Sequence, residues 1–195
     1  MKTRLYLILF LSAIIFSNPS AQNRSVVKTD LTRYVNPMIG TARTTTIAGT
    51  RHGGGSELNA QVTPSVTVPF GMTNWTPQTK NTEAKCVAPY YYKDSLITGF
   101  RGTHWLSGSC TQDYGSVTIM PVSGKLICNP YKRGSRFSHD DEFAHPESYK
   151  IKLCDYDIIA EMSATTRCGI FRFTFENQVF VSIYKLSPRG ADCWV

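Results

Sequence analysis

Charge is scarce in this chain. Charged residues fill 18% of its 195 positions, against roughly 25% in an ordinary soluble domain. Lys and Arg outnumber Asp and Glu, 21 to 14, for a net charge of +7. The basic residues are scattered, however, and no run of five occurs. That scatter, with no nucleic-acid motif present, excludes a nucleic-acid binder. Cys-x-x-Cys is absent as well, which removes the usual structural zinc sites. No Gly-x-Ser-x-Gly and no P-loop occur, so a serine hydrolase elbow and a phosphate cradle are excluded. Nowhere do apolar residues recur at helical spacing for three turns. The nearest stretch, "DDEFAHPESY", is polar and broken by Pro146.

The one long apolar run stands at the beginning. "MKTR" supplies positive charge, Leu5–Phe16 an apolar core, and "SNPSAQ" small and turn-forming residues. That order predicts a secretory signal peptide over residues 1–21, and a periplasmic or secreted mature chain. The apolar run is too short to span a bilayer comfortably, and no membrane association is expected after cleavage. Residues 22–32 predict a flexible lead-in, and residues 33–195 the folded domain. Six cysteines (Cys86, Cys110, Cys128, Cys154, Cys168 and Cys193) are free to pair in an exported chain, in a pattern that the spacings leave open.

Strand patterns fill the rest. "KIKLC" alternates Lys150 and Lys152 with Ile151 and Leu153. "GIFRFTF" sets Phe171, Phe173 and Phe175 opposite Arg172 and Thr174. "SVTVPF" and "SVTIMPV" alternate similarly, and "QVFVSIY" is apolar on both sides, as in a central strand. Period two with β-branched and aromatic residues predicts strands. Because they follow one another through short turns, the sheets are expected to be antiparallel and packed face to face. The fold class is therefore all-β, an antiparallel β-sandwich. "ARTTTIAGTRHGGGSELNAQ" has neither period and reads as a long loop. The last apolar strand has only "LSPRGADCWV" to flank it, so the domain is expected to be incomplete at its C-terminal end.

Candidate chemistry lies in loops. Sugars present apolar C–H faces and a rim of hydroxyls, which aromatic rings and polar side chains match. "GFRGTHWLSGSCTQDYGS" groups Arg101, His104, Trp105, Gln112 and Asp113. "NWTPQT" adds Asn74, Trp75 and Gln78, and "PYYYKD" adds Tyr90, Tyr91 and Tyr92, of which at least one is expected in the core. Glu57 stands in the glycine-rich loop. The expected substrate-binding set is Glu57, Arg101, His104, Trp105 and Asp113. The acidic group Asp140, Asp141 and Glu142 reads as a solvated turn, and Asp155 and Asp157 flank Tyr156 before a strand. No fixed spacing pairs any two carboxylates, so no catalytic residue and no metal ligand is assigned.

Five blocks occur in order: "YVNPMIGT", "VPFGMTNWTPQT", "GFRGTHWLSGSCTQDYGSVTIMPVSG", "FSHDDEFAHPESYKIKL" and "IIAEMSATTRCGIFRFTF". Together they resemble the N-terminal domain of the family 92 glycoside hydrolases, exo-acting α-mannosidases, over about residues 33–178. The resemblance implies a β-sandwich that precedes a larger (α/α)6-barrel. It implies an inverting, calcium-dependent enzyme whose calcium ligands and catalytic acid and base lie in the barrel. By the same resemblance, His104 and Trp105 belong to the loop nearest the sugar, and the ligand is a mannose-containing glycan. No cofactor is expected in this chain itself, and the missing catalytic barrel is its expected partner, in cis or in trans. "GGGSELNAQVTPSVTVPFGM" departs from the His-Thr-Phe-Pro-Gly type sequence of many relatives, which points to a subgroup and leaves the linkage open. Two other roles fit the same residues: a stand-alone carbohydrate-binding module, and a structural domain that pairs with a separately encoded barrel.

Overall fold

In the central strands of the chain, side chains alternate between buried and exposed. Tyr149, Ile151 and Leu153 are buried, while Ser148 before them and Lys150 among them are exposed. A computed structural model describes residues 30–52, 61–79, 88–102, 117–127, 129, 132–176, 180–187 and 190–194. In chain order the strands are β1 (Trp75–Gln78), β2 (Leu96–Ile97), β3 (Gly99–Gly102), β4 (Val117–Val122), β5 (Ser135–Arg136) and β6 (Phe143–Ala144). They continue with β7 (Ser148–Leu153), β8 (Ile158–Ala164), β9 (Gly169–Phe175), β10 (Phe180–Ser187) and β11 (Gly190–Trp194). Three sheets result: five strands in the order β1-β3-β4-β10-β11, four in the order β6-β7-β8-β9, and the pair β2-β5. The pairings within them are antiparallel. The fold is all-β, as expected from the alternation.

The two larger sheets meet at an apolar core. Phe100 of β3 faces Tyr149, Phe171 and Phe173 of the four-stranded sheet, with ring centroids 6.3–6.4 Å apart. Ile151, Leu153, Ile158, Ala160 and Met162 join the same cluster. Full burial of one such large side chain is worth about 1.5–3 kcal/mol, so the two sheets depend on each other. The outward side of the four-stranded sheet carries one charged row. Register aligns Phe143, Lys150, Glu161 and Arg172 across its strands. Arg172 donates two hydrogen bonds to Glu161.

Two segments differ from the sequence expectation. "SVTVPF" is not a continuous strand: Val66 is buried and bridges Trp75, but the chain turns at Pro69 and Phe70. There the Gly71 amide donates to the Val68 carbonyl at 2.8 Å. Proline fixes its own φ and removes a ladder donor, which ends the strand. The long loop after Thr41 contains a short helix, α1 (Ile47–His52). Thr46 caps it, its hydroxyl accepting from the Gly49 amide at 3.0 Å, as an N-cap threonine does. β10 lies between β4 and β11, so the run read as a central strand has a neighbour on each side. The tail segment supplies one of them. Among the described residues, no helix is long and apolar enough to cross a membrane.

Candidate functional site

The residues around Trp75 form the site most suited to a ligand. Trp75 opens β1 and stands opposite Gly102, the last residue of β3. Gly102 in turn pairs with Val117, the first residue of β4. The connection 103–116, which carries the glycine-rich His-Trp sequence, therefore leaves and re-enters the sheet beside Trp75. The indole is held on several sides. Phe171 meets it edge-on, with centroids 4.7 Å apart and planes at 85°. A Cβ on Gly169 would come within 2.3 Å of the indole Nε1, and one on Gly102 within 3.3 Å of the ring. Position 169 must be glycine for the ring to lie where it does, whereas a side chain at 102 would be tight.

A pocket of about 250 Å³ opens here, lined by Met72, Thr73, Asn74, Trp75, Gly102, Arg167 and Gly169. Its walls are tied together, because the Met72 and Thr73 amides both donate to the Thr166 carbonyl, at 2.8 and 3.2 Å. The Asn74 Oδ1 is buried and has no hydrogen-bond partner. A buried acceptor left unpaired is costly, and such an atom calls for an explanation. The pocket thus sets an aromatic ring beside the side chains of Asn74 and Arg167, the kind of lining that sugars select.

The expected site residues fall as follows. Arg101 lies on β3, is 1% exposed and stands opposite Thr76 and Thr118. Facing residues of an antiparallel pair share a side of the sheet, so Arg101 lies on the side away from Phe100 and the sandwich core. Glu57, His104, Trp105 and Asp113 lie outside the described residues. Asn74 and Trp75 of "NWTPQT" come together in the pocket, whereas Gln78 is buried further along β1. Arg167 is the residue that the sequence did not single out. Its only signal was its place in a tight turn, "TTRCG", between two strands.

A second polar cluster lies elsewhere. Glu142, its side chain 2% exposed, accepts from the Tyr90 hydroxyl at 2.9 and 3.0 Å. It accepts from the Tyr149 hydroxyl too, and His139 Nδ1 bonds its other oxygen. His139 stacks on Tyr92 at 3.9 Å and bonds the Tyr92 carbonyl through Nε2. The expectation of a solvated acidic turn therefore holds for Asp140 and Asp141, which are exposed, and fails for Glu142. Burial, with the negative charge of Glu142 adding to it, raises the Tyr90 hydroxyl well above the ordinary value of 10.0. Tyr149 is raised by the same causes. The hydroxyls of Tyr90 and Tyr149 and the His139 Nδ1 all converge on Glu142, so the cluster fastens the segment around Tyr90 to β7.

The remaining candidate carboxylates are engaged in ion pairs. Asp155 accepts from the Arg136 side chain and amide, each at 2.8 Å, which holds its carboxyl below the usual range. Asp157 pairs with Lys152 at 3.0 Å and is lowered chiefly by the hydrogen bond that Lys152 donates. Neither is poised to donate a proton near neutrality. Among the described residues, no three His, Cys, Asp or Glu side chains converge as metal ligands.

The glycosyl hydrolase family 92 N-terminal domain matches residues 34–185. The chain belongs to this family. Solved family 92 structures agree. The inverting mannosidase BT2199 from Bacteroides thetaiotaomicron VPI-5482 is 33% identical, with a TM-score of 0.63 over 79% of this chain and 19% of its own. The family 92 α-mannosidase BT3965 from Bacteroides thetaiotaomicron is 32% identical, with a TM-score of 0.65 over 80% of this chain and 20% of its own. BT3965 has also been solved in complex with mannoimidazole. No curated protein matches the chain. The chain thus spans about a fifth of the length of these family 92 enzymes, and that fifth is the sandwich.

Proposed function

We propose that this family 92 domain is the accessory, sugar-contacting part of a secreted α-mannosidase and does not hydrolyse glycosides by itself. The observation that carries the reading is the Trp75 pocket, lined by Asn74 and Arg167, at the root of the 103–116 connection. Trp75 covers an apolar sugar face, and the Asn74 and Arg167 side chains that line the pocket meet its hydroxyls. His104, Trp105, Asp113 and Glu57 are the further sugar contacts in this reading, and Arg101 braces the sheet. Calcium, which the family enzymes require, would act with the barrel.

Inversion at a glycosidic centre needs an acid and a base about 6.5–9.5 Å apart on opposite faces of the sugar. Asp155, Asp157, Glu161 and Glu142 are bound to Arg136, Lys152, Arg172 and the tyrosine cluster. They support a binding wall and not an acid–base pair. The purified chain, given calcium and aryl or disaccharide α-mannosides, is expected to release no mannose above background. Stoichiometrically repeated turnover by the chain alone would overturn the reading.

A further inference from the structure

The turn after Val68 is built against its own preferences. Phe70 has φ +59°, the left-handed value that glycine or asparagine normally supplies at the third position of a type II turn. A bulky residue there is a genuine outlier. Its ring gains nothing in return, because Phe70 is 104% exposed. Yet the turn is held firmly. Gly71 N–H closes it onto Val68 at 2.8 Å, Met72 and Thr73 are tied to Thr166, and the Thr67 hydroxyl donates to the Thr73 carbonyl at 2.9 Å. A strained, preorganised and fully presented aromatic is the form of a binding anchor. Its neighbours in the turn, Val68, Pro69 and Gly71, offer no side-chain donor or acceptor, which suits an apolar protein pocket better than a hydroxylated ligand. Met72, also exposed, lines the Trp75 pocket and so connects the turn to the site. The relatives extend over four further fifths of chain that this domain lacks.

We infer that Phe70 is the anchor by which the domain seats on the rest of a family 92 enzyme, its ring filling an apolar pocket there. This rests on the reading that the domain works beside a catalytic region. The test is a sign reversal. Phe70→Asn is introduced into the full chain, and into BT3965 whose matched fifth is replaced by residues 34–185. Relief of backbone strain is expected to raise the melting temperature of the chain alone by about 2 °C. In the chimera, loss of the anchor is expected to lower it by several degrees. A lowered melting temperature in the isolated chain would show that Phe70 has an internal structural role and overturn the inference. An unchanged or raised value in the chimera would overturn it too. A chimera whose two parts melt independently would remove both the anchor and the partnership, whereas saturable mannoside binding by the chain alone would leave the sugar-contacting reading standing.

Discussion

Replacing Glu142 with alanine is expected to cost about 3–5 kcal/mol, the largest effect of any single change outside the apolar core. The carboxyl group accepts from Tyr90 and Tyr149 and bonds His139. Tyr90 and Tyr149 are buried. Removing their common acceptor leaves two hydroxyls without a partner, at about 1–3 kcal/mol each, and opens a small cavity. For a domain of this size the melting temperature should fall by roughly 10 °C, read by circular dichroism. Asp140→Ala, two residues away and exposed, should stay within about 0.5 kcal/mol. Equal effects at both positions would refute the assignment. The cluster sets an alkaline limit as well. Buried Tyr90 and Tyr149 keep their protons above 10.0, whereas in the unfolded chain they lose them there. The unfolded state then binds fewer protons than the folded one, so stability declines with rising pH. The contribution is complete below about pH 10 and drains as pH climbs towards the folded values.

Gly169→Ala is expected to disable the site without touching a polar group. The new methyl would lie 2.3 Å from Trp75 Nε1, 2.7 Å from Cδ1 and 3.0 Å from Cε2. Phe171 stands edge-on against the indole, so the ring cannot back away on that side. Forcing an atom into such a space costs about 1–3 kcal/mol. The ring must rotate, which also changes the pocket around Asn74. The expected result is a melting temperature lower by roughly 5 °C and mannoside affinity reduced at least about tenfold. The displaced Nε1–H resonance in a nitrogen-15 spectrum would report the movement directly. A variant with unchanged stability and an unmoved indole signal would refute this packing.

Local patterns in the sequence predicted β7 and β9 of the four-stranded sheet, because each has one face on the core, but not β8 between them or β6 beside them. Lys150 and Ile151, or Arg172 and Phe173, declare their sides by chemistry alone. The Val66–Phe70 run deceived for an equally local reason. Its alternation is that of a strand, but Pro69 cannot donate to a ladder and the chain turns. α1 is too short to show a period, and only Thr46 before it marks a start. Glu142 was hidden by its company, for three acidic residues in a row look solvated. Its burial is decided by Tyr90, 52 residues earlier, and such long-range pairing leaves no trace in local composition. Arg167 and the two glycines that flank Trp75 are of the same kind. They belong to the pocket because antiparallel register brings β1, β3 and the β8–β9 turn to one corner.

The family assignment rested on a different signal, five sequence blocks in order, and the match over residues 34–185 supports it. The central claim is that the corner around Trp75 is a sugar wall. Titration of the nitrogen-15-labelled chain with methyl α-mannoside tests it most directly. The account predicts saturable shifts centred on the Trp75 indole N–H, the Asn74 amide and Arg167, with the Tyr90–Glu142–Tyr149 cluster unmoved. A spectrum unchanged at saturating sugar, or shifts confined to another surface, would contradict it.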